Sequence, residues 1–65
     1  MTNEELKSAL MSGCPVESGG IIYKCVSAII FRKVNGKIKV SAELRDRHTY
    51  SLTVAEPAKI KEVTL

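Results

Sequence analysis

The chain contains no tryptophan, one phenylalanine and two tyrosines among its 65 residues. A cage for a methylated lysine and an aromatic groove for proline-rich ligands each need several clustered rings, so both are excluded. Histidine occurs once, at His48, and cysteine twice, at Cys14 and Cys25. A closed zinc site wants four Cys or His ligands, so no metal and no cofactor is expected. The cysteines form no C-x-x-C motif. A nucleophile–base pair would have to join one of them to His48, and Cys25 falls on an expected sheet while His48 falls at an expected hairpin tip. His48 reads instead as a turn residue that tolerates a left-handed backbone. Asp46 is the single aspartate, and no carboxylate pair has surroundings that would split its pKa values. Phosphate-cradling glycine loops and calcium loops are missing. The expectation is a protein that is not an enzyme. No run of about 18 apolar residues exists to span a membrane. Met1–Glu5 is acidic and has no apolar stretch of the secretory kind. A cytoplasmic location is expected, with both cysteines reduced and behaving as small apolar residues.

Apolar residues make up 45% of the chain and charged residues 26%, a balance that folds. At this length one domain over residues 1–65 is expected, burying roughly 60% of the surface that the unfolded chain exposes. Such a core supplies only about 3–5 kcal/mol.

The net charge of +3 is unevenly spread. Residues 1–20 carry Glu4, Glu5 and Glu17 against Lys7, and residues 48–65 balance. The middle of the chain carries Lys24, Arg32, Lys33, Lys37, Lys39, Arg45 and Arg47 against Glu43 and Asp46. A basic block attracts phosphates or an acidic partner. It is equally the composition of a solvated face, since lysines on exposed strands discourage edge pairing. Arg32, Lys37, Lys39 and Arg45 could share one outward face and are the candidate contacts for nucleic acid or an acidic protein.

Thr2-Asn3-Glu4-Glu5 fits a capping box, with Glu4 and Glu5 in a first turn where the helix dipole favours acid. Leu6, Ala9 and Leu10 follow at i, i+3, i+4 and make one apolar stripe. Gly13 suits a left-handed C-cap and Pro15 prevents continuation. These signals predict a helix over 3–11, too short to stand alone. Residues 15–20 read as a short extended piece and a Gly19-Gly20 turn. Ile21–Lys33 has the β-branched and aromatic composition of one long strand. Asn35-Gly36 signals a two-residue type I′ hairpin. Residues 37–45 and 49–54 each alternate apolar and polar with period two, as half-buried antiparallel strands do. Pro57 stops the last of these, a 3₁₀ turn fits 56–59, and any final strand is short.

The two-residue turn places Val34 opposite Lys37, Phe31 opposite Val40 and Ile29 opposite Ala42. If Asp46-Arg47-His48 is a three-residue loop, Leu44 opposes Tyr50, Ala42 opposes Leu52 and Val40 opposes Val54. One face then collects Ile29, Phe31, Val40, Ala42, Leu44, Tyr50, Leu52 and Val54 as the expected core. Stacking on nucleic-acid bases needs exposed rings beside the cations. With Phe31 and Tyr50 turned inward, only Tyr23 would be left. Ile22, Val26 and Ile30 lie on the other face of the long strand. A bulge near Ser27 would turn part of that face inward. Otherwise the helix stripe packs on it, or it is an apolar partner surface.

The layout over 15–64 resembles the small SH3-like β-barrels. It has a short first strand, a glycine turn, a three-stranded meander, a Glu56-Pro57-Ala58 break and a short last strand. The resemblance implies a mainly antiparallel barrel of about five strands, mostly β with one N-terminal helix. The chain lacks the aromatics with which SH3 domains bind proline-rich ligands. The segments Ser41-Ala42-Glu43-Leu44-Arg45-Asp46 and Ser51-Leu52-Thr53-Val54-Ala55-Glu56-Pro57 also look similar to small uncharacterised proteins of bacteria and of their phages or mobile elements, a likeness that brings no activity. The expected role is a small non-catalytic interaction module acting by protein–protein contact, as a monomer or weak homodimer. The alternative is a nucleic-acid-binding accessory protein.

Overall fold

A computed structural model describes residues 1–63; the expected end of the barrel at residue 64 lies outside them. Helix α1 runs over Asn3–Ser12. Thr2 Oγ1 accepts from the Glu5 amide at 3.2 Å, and Glu5 Oε1 accepts from the Thr2 amide at 2.9 Å. This reciprocal box satisfies two amides that the first turn leaves unpaired, and it holds the Glu5 carboxyl below its usual pKa. Gly13, at φ 71°, ends the helix by donating to the Ala9 carbonyl. The Met1 amino group donates to the carbonyls of Pro57 and Ile60 at 2.7 and 3.0 Å, which ties the start of α1 to the far end of the chain.

The strands are β1 (Val16–Ser18), β2 (Ile21–Tyr23), β3 (Cys25–Val34), β4 (Lys37–Arg45), β5 (Leu52–Ala55) and β6 (Ile60–Glu62), with a 3₁₀ turn over Pro57–Lys59. They form two antiparallel sheets ordered β2-β1-β6 and β3-β4-β5. The expectation of one closed barrel is therefore corrected: the protein is mostly β with one N-terminal helix, but its described strands form no closed barrel. The expected long strand Ile21–Lys33 is divided at Lys24, whose amide donates to the Arg45 carbonyl at 2.8 Å. Its first three residues pair with β1 through a Gly19-Gly20 turn in which both φ are positive, so they belong to the other sheet.

Asn35 and Gly36 have φ of 49° and 77°, as a type I′ turn requires. The register follows: Val34 opposes Lys37, Phe31 opposes Val40 and Ile29 opposes Ala42. A bulge falls between Val26 and Ala28, where Ser27 has no opposite number. Ser27 Oγ lies 2.8 Å from Glu43 Oε1 and 3.2 Å from the Glu43 carbonyl, across the irregularity. The extra residue reverses the parity of the strand. Val26 thereby joins Leu44 in the core, whereas Ala28 and Ile30 stay with Glu43 and Ser41 on the outer face.

The core is Leu6, Ala9, Val16, Tyr23, Val26, Ala42, Leu44 and Ile60, drawn from α1 and both sheets. Helix α1 packs on β3 and buries Leu6 and Ala9, with Leu10 partly covered. Half of the expected core face is exposed, and only Ala42 and Leu44 of it are buried. Phe31, Leu52, Val54 and Tyr50 are 60, 51, 59 and 98% exposed, whereas Tyr23, expected to be free, is buried.

Two causes account for this. The loop after β4 runs from Asp46 to Ser51 rather than over three residues. Asp46 Oδ1 accepts from the amides of His48 and Thr49, Thr49 Oγ1 accepts from the Ser51 amide, and the Asp46 amide donates to the Ser51 carbonyl. This side-chain network lengthens the turn, so Leu44 opposes Thr53 and Arg45 opposes Leu52. The slip of three positions is odd, and an odd slip sends Leu52 and Val54 to the outer face. Phe31 keeps its register but lies on the distal half of the β3–β4 hairpin, beyond the buried cluster. The molecule measures 38 × 23 × 21 Å. At about 3.3–3.4 Å per residue, β3 and β4 are the elements long enough to account for the long axis.

Candidate interaction surface

The distal hairpin, residues 29–41, forms an arm. Period two places Arg32, Lys37 and Lys39 on its outer face, with Arg32 directly opposite Lys39. The inner face carries Phe31, Lys33, Ile38 and Val40. Phe31 and Ile38 are both more than half exposed, and Val40 and Ile29 are partly covered by the core. No carboxylate occurs between Cys25 and Ala42, so the four cations Arg32, Lys33, Lys37 and Lys39 act with one sign.

Arg45 does not join this group. It shares their face by parity, but six residues along β4 from Lys39 is about 20 Å. Its neighbours are Lys24, Arg47 and His48, with which it lines a shallow depression of about 270 Å³. Asp46 lies in the same depression, and the amides of His48 and Thr49 donating to it hold its carboxyl below its usual pKa. His48 does not adopt a left-handed backbone; among the described non-glycine residues only Asn35 does. Its amide is committed to Asp46.

Ile22, Val26 and Ile30 are not brought together. Val26 is in the core, Ile22 sits opposite Glu17 in the other sheet, and Ile30 lies on the outer face opposite Ser41. The outer-face apolar residues that sequence reasoning missed are Leu52 and Val54, opposite Arg45 and Glu43. Only the Asp46–Ser51 hydroxyl and carboxylate pattern signalled the longer loop that exposes them.

Cys14 is exposed at the end of α1, Cys25 is half-buried at the start of β3, and both thiols are free. Among the described residues no three His, Cys, Asp or Glu side chains come together to hold a metal. No described helix is long and apolar enough to cross a membrane. Comparison with protein-family models, with curated proteins and with solved structures finds no match.

Proposed function

We propose that this chain is a small, non-catalytic interaction module that binds another protein through the β3–β4 arm. The observation that carries the reading is the aliphatic and aromatic surface the arm holds out of the core: Phe31 and Ile38 are more than half exposed beside Lys33, on a hairpin whose other face carries Arg32, Lys37 and Lys39. An apolar patch rimmed by polar residues is the usual form of a protein contact site. The order of elements supports an open relative of the SH3-like layout, with the short first strand β1 and short last strand β6 paired and the 3₁₀ turn at Pro57–Lys59 before β6. Two free cysteines support a reducing, cytoplasmic setting.

Nucleic acid remains the second reading, because Phe31 is exposed beside Arg32 and Lys33. The other exposed ring, Tyr50, follows the opposite end of β4, so the two rings make no continuous stacking platform. Aliphatic side chains such as Ile38 add nothing to stacking.

A photo-crosslinking residue in place of Ile38, with a control at exposed Met11, separates the readings in living cells. Adducts at position 38 that are removed by protease and are absent from position 11 are expected. Adducts removed by nuclease, or none at position 38, would overturn the protein-binding reading.

A further inference from the structure

We infer that the open edge of β4 accepts an extended acidic segment of the partner as an added strand, an inference that rests on the protein-binding reading of the arm. Strand β4 has nine residues, but β5 pairs with it only from Ala42 to Arg45. Continued in the same register, the chain would place Glu56 beside Ser41 and Pro57 beside Val40. Proline has no amide hydrogen to give the Val40 carbonyl, and the chain turns away into the 3₁₀ helix at that residue. The lane alongside Lys37–Ser41 is thus left without a strand among the described residues, although the 3₁₀ turn itself stays close to β4.

The main-chain groups of that lane are set by the turn. Val34 and Lys37 close a two-residue hairpin, so they exchange hydrogen bonds with each other. Antiparallel alternation then directs the N–H and C=O of Ile38 and Val40 away from β3, towards the lane that no described strand fills. No main-chain hydrogen bond outside the ladders reaches either residue among those described. Two donors and two acceptors therefore stand at strand spacing. This is the template that strand addition uses.

The side chains select the occupant. On the inner face the added strand would lie beside Ile38 and Val40, which favour apolar residues. On the outer face it would lie beside Lys37 and Lys39, with Arg32 next to them, which favour acids. The complementary segment alternates apolar and acidic side chains. A second copy of this chain fits badly, because each arm brings four cations and no acid. Edge lysines of this kind suppress self-pairing, and the same lysines favour a partner of opposite sign. Nucleic acid could neutralise the cations but has no alternating amide and carbonyl edge.

The test uses the full chain and a synthetic ten-residue peptide alternating Glu and Val, blocked at both ends. Two N-methylated versions lose the amide hydrogens of one edge or of the other. Binding of the parent peptide is expected, weakening with salt, with exchange of the Ile38 and Val40 amides slowed at least tenfold. The Lys37 and Lys39 amides, already paired to β3, should change little. One N-methylated version should bind at least tenfold more weakly and the other like the parent. The variant Ile38→Pro removes one edge donor that β3 does not use. It should keep its thermal midpoint within a few degrees and bind the peptide at least tenfold more weakly. Binding without protection of Ile38 and Val40 would overturn strand addition and leave the protein-binding arm standing. Failure of the peptide to bind, with protein adducts still forming at position 38, would overturn the acidic-strand partner alone. Protection of the same amides in a dimer without peptide would identify the occupant as a second copy and overturn the inference.

Discussion

Phe31 and Leu44 share the inner face of one β-hairpin, yet their truncations should differ severalfold in cost. Leu44 is fully buried, sits opposite Val26 and Thr53, and belongs to the cluster that joins α1 to both sheets. Leu44→Ala removes its transfer energy and leaves a cavity, a loss of about 2–5 kcal/mol. Phe31 is 60% exposed. Full burial of such a side chain is worth roughly 1.5–3 kcal/mol, so the covered two-fifths is worth about 0.6–1.2 kcal/mol. In a domain whose core supplies only about 3–5 kcal/mol, the first change should abolish or nearly abolish cooperative folding. The second should leave a clear transition. Urea unfolding followed by circular dichroism measures both, with Leu44→Val as a milder core variant that keeps the comparison measurable. Equal losses for Phe31→Ala and Leu44→Ala would refute the division into a packed base and a projecting arm.

Three further outcomes follow from local structure. Gly36→Val should cost roughly 1–2 kcal/mol, because a side chain is strained at φ 77°; nothing lies within 4 Å of the added Cβ, so an unchanged thermal midpoint would contradict the type I′ turn. Glu5 and Asp46 have lowered pKa values caused by the amides they accept from, so their contribution is present above the ordinary carboxylate range and lost as the pH falls through the lowered values. The amide resonances of Thr2 and His48 should report those transitions, and midpoints at ordinary carboxylate values would count against the cap and the loop. Exposed Cys14 should react with a thiol reagent faster than half-buried Cys25 in the folded protein, and an intact mass two units low under non-reducing conditions would reveal a disulfide instead.

The parts of the fold legible in the sequence are those governed by neighbours along the chain. The capping box at Thr2 and Glu5, the Gly13 stop, the Asn35-Gly36 turn and the Pro57 break each depend on a few adjacent residues. The β3–β4 register was legible because a two-residue turn admits a single pairing. The bulge at Ser27 was legible from a strand with two apolar faces. The basic residues of the arm were legible as a set, except that Arg45 belongs with Lys24 and Arg47.

Burial was not legible in the same way. Alternation states which residues share a face, and it was right for Ile29, Phe31, Val40, Ala42 and Leu44. It cannot state how far along that face the helix and the second sheet extend, since coverage depends on elements distant in sequence. Phe31 and Ile38 are exposed for that reason, and they supply the proposed contact surface. The β4–β5 register failed because a polar network within Asp46–Ser51 holds a longer loop in place of the tight turn, and an odd slip reverses every side chain of β5. Local chemistry along the chain thus determined the helix, the turns, the first register and the charge of the arm. Tertiary packing decided which rings are buried and that Ile21–Tyr23 leaves the long strand for another sheet, because each depends on which distant surfaces meet.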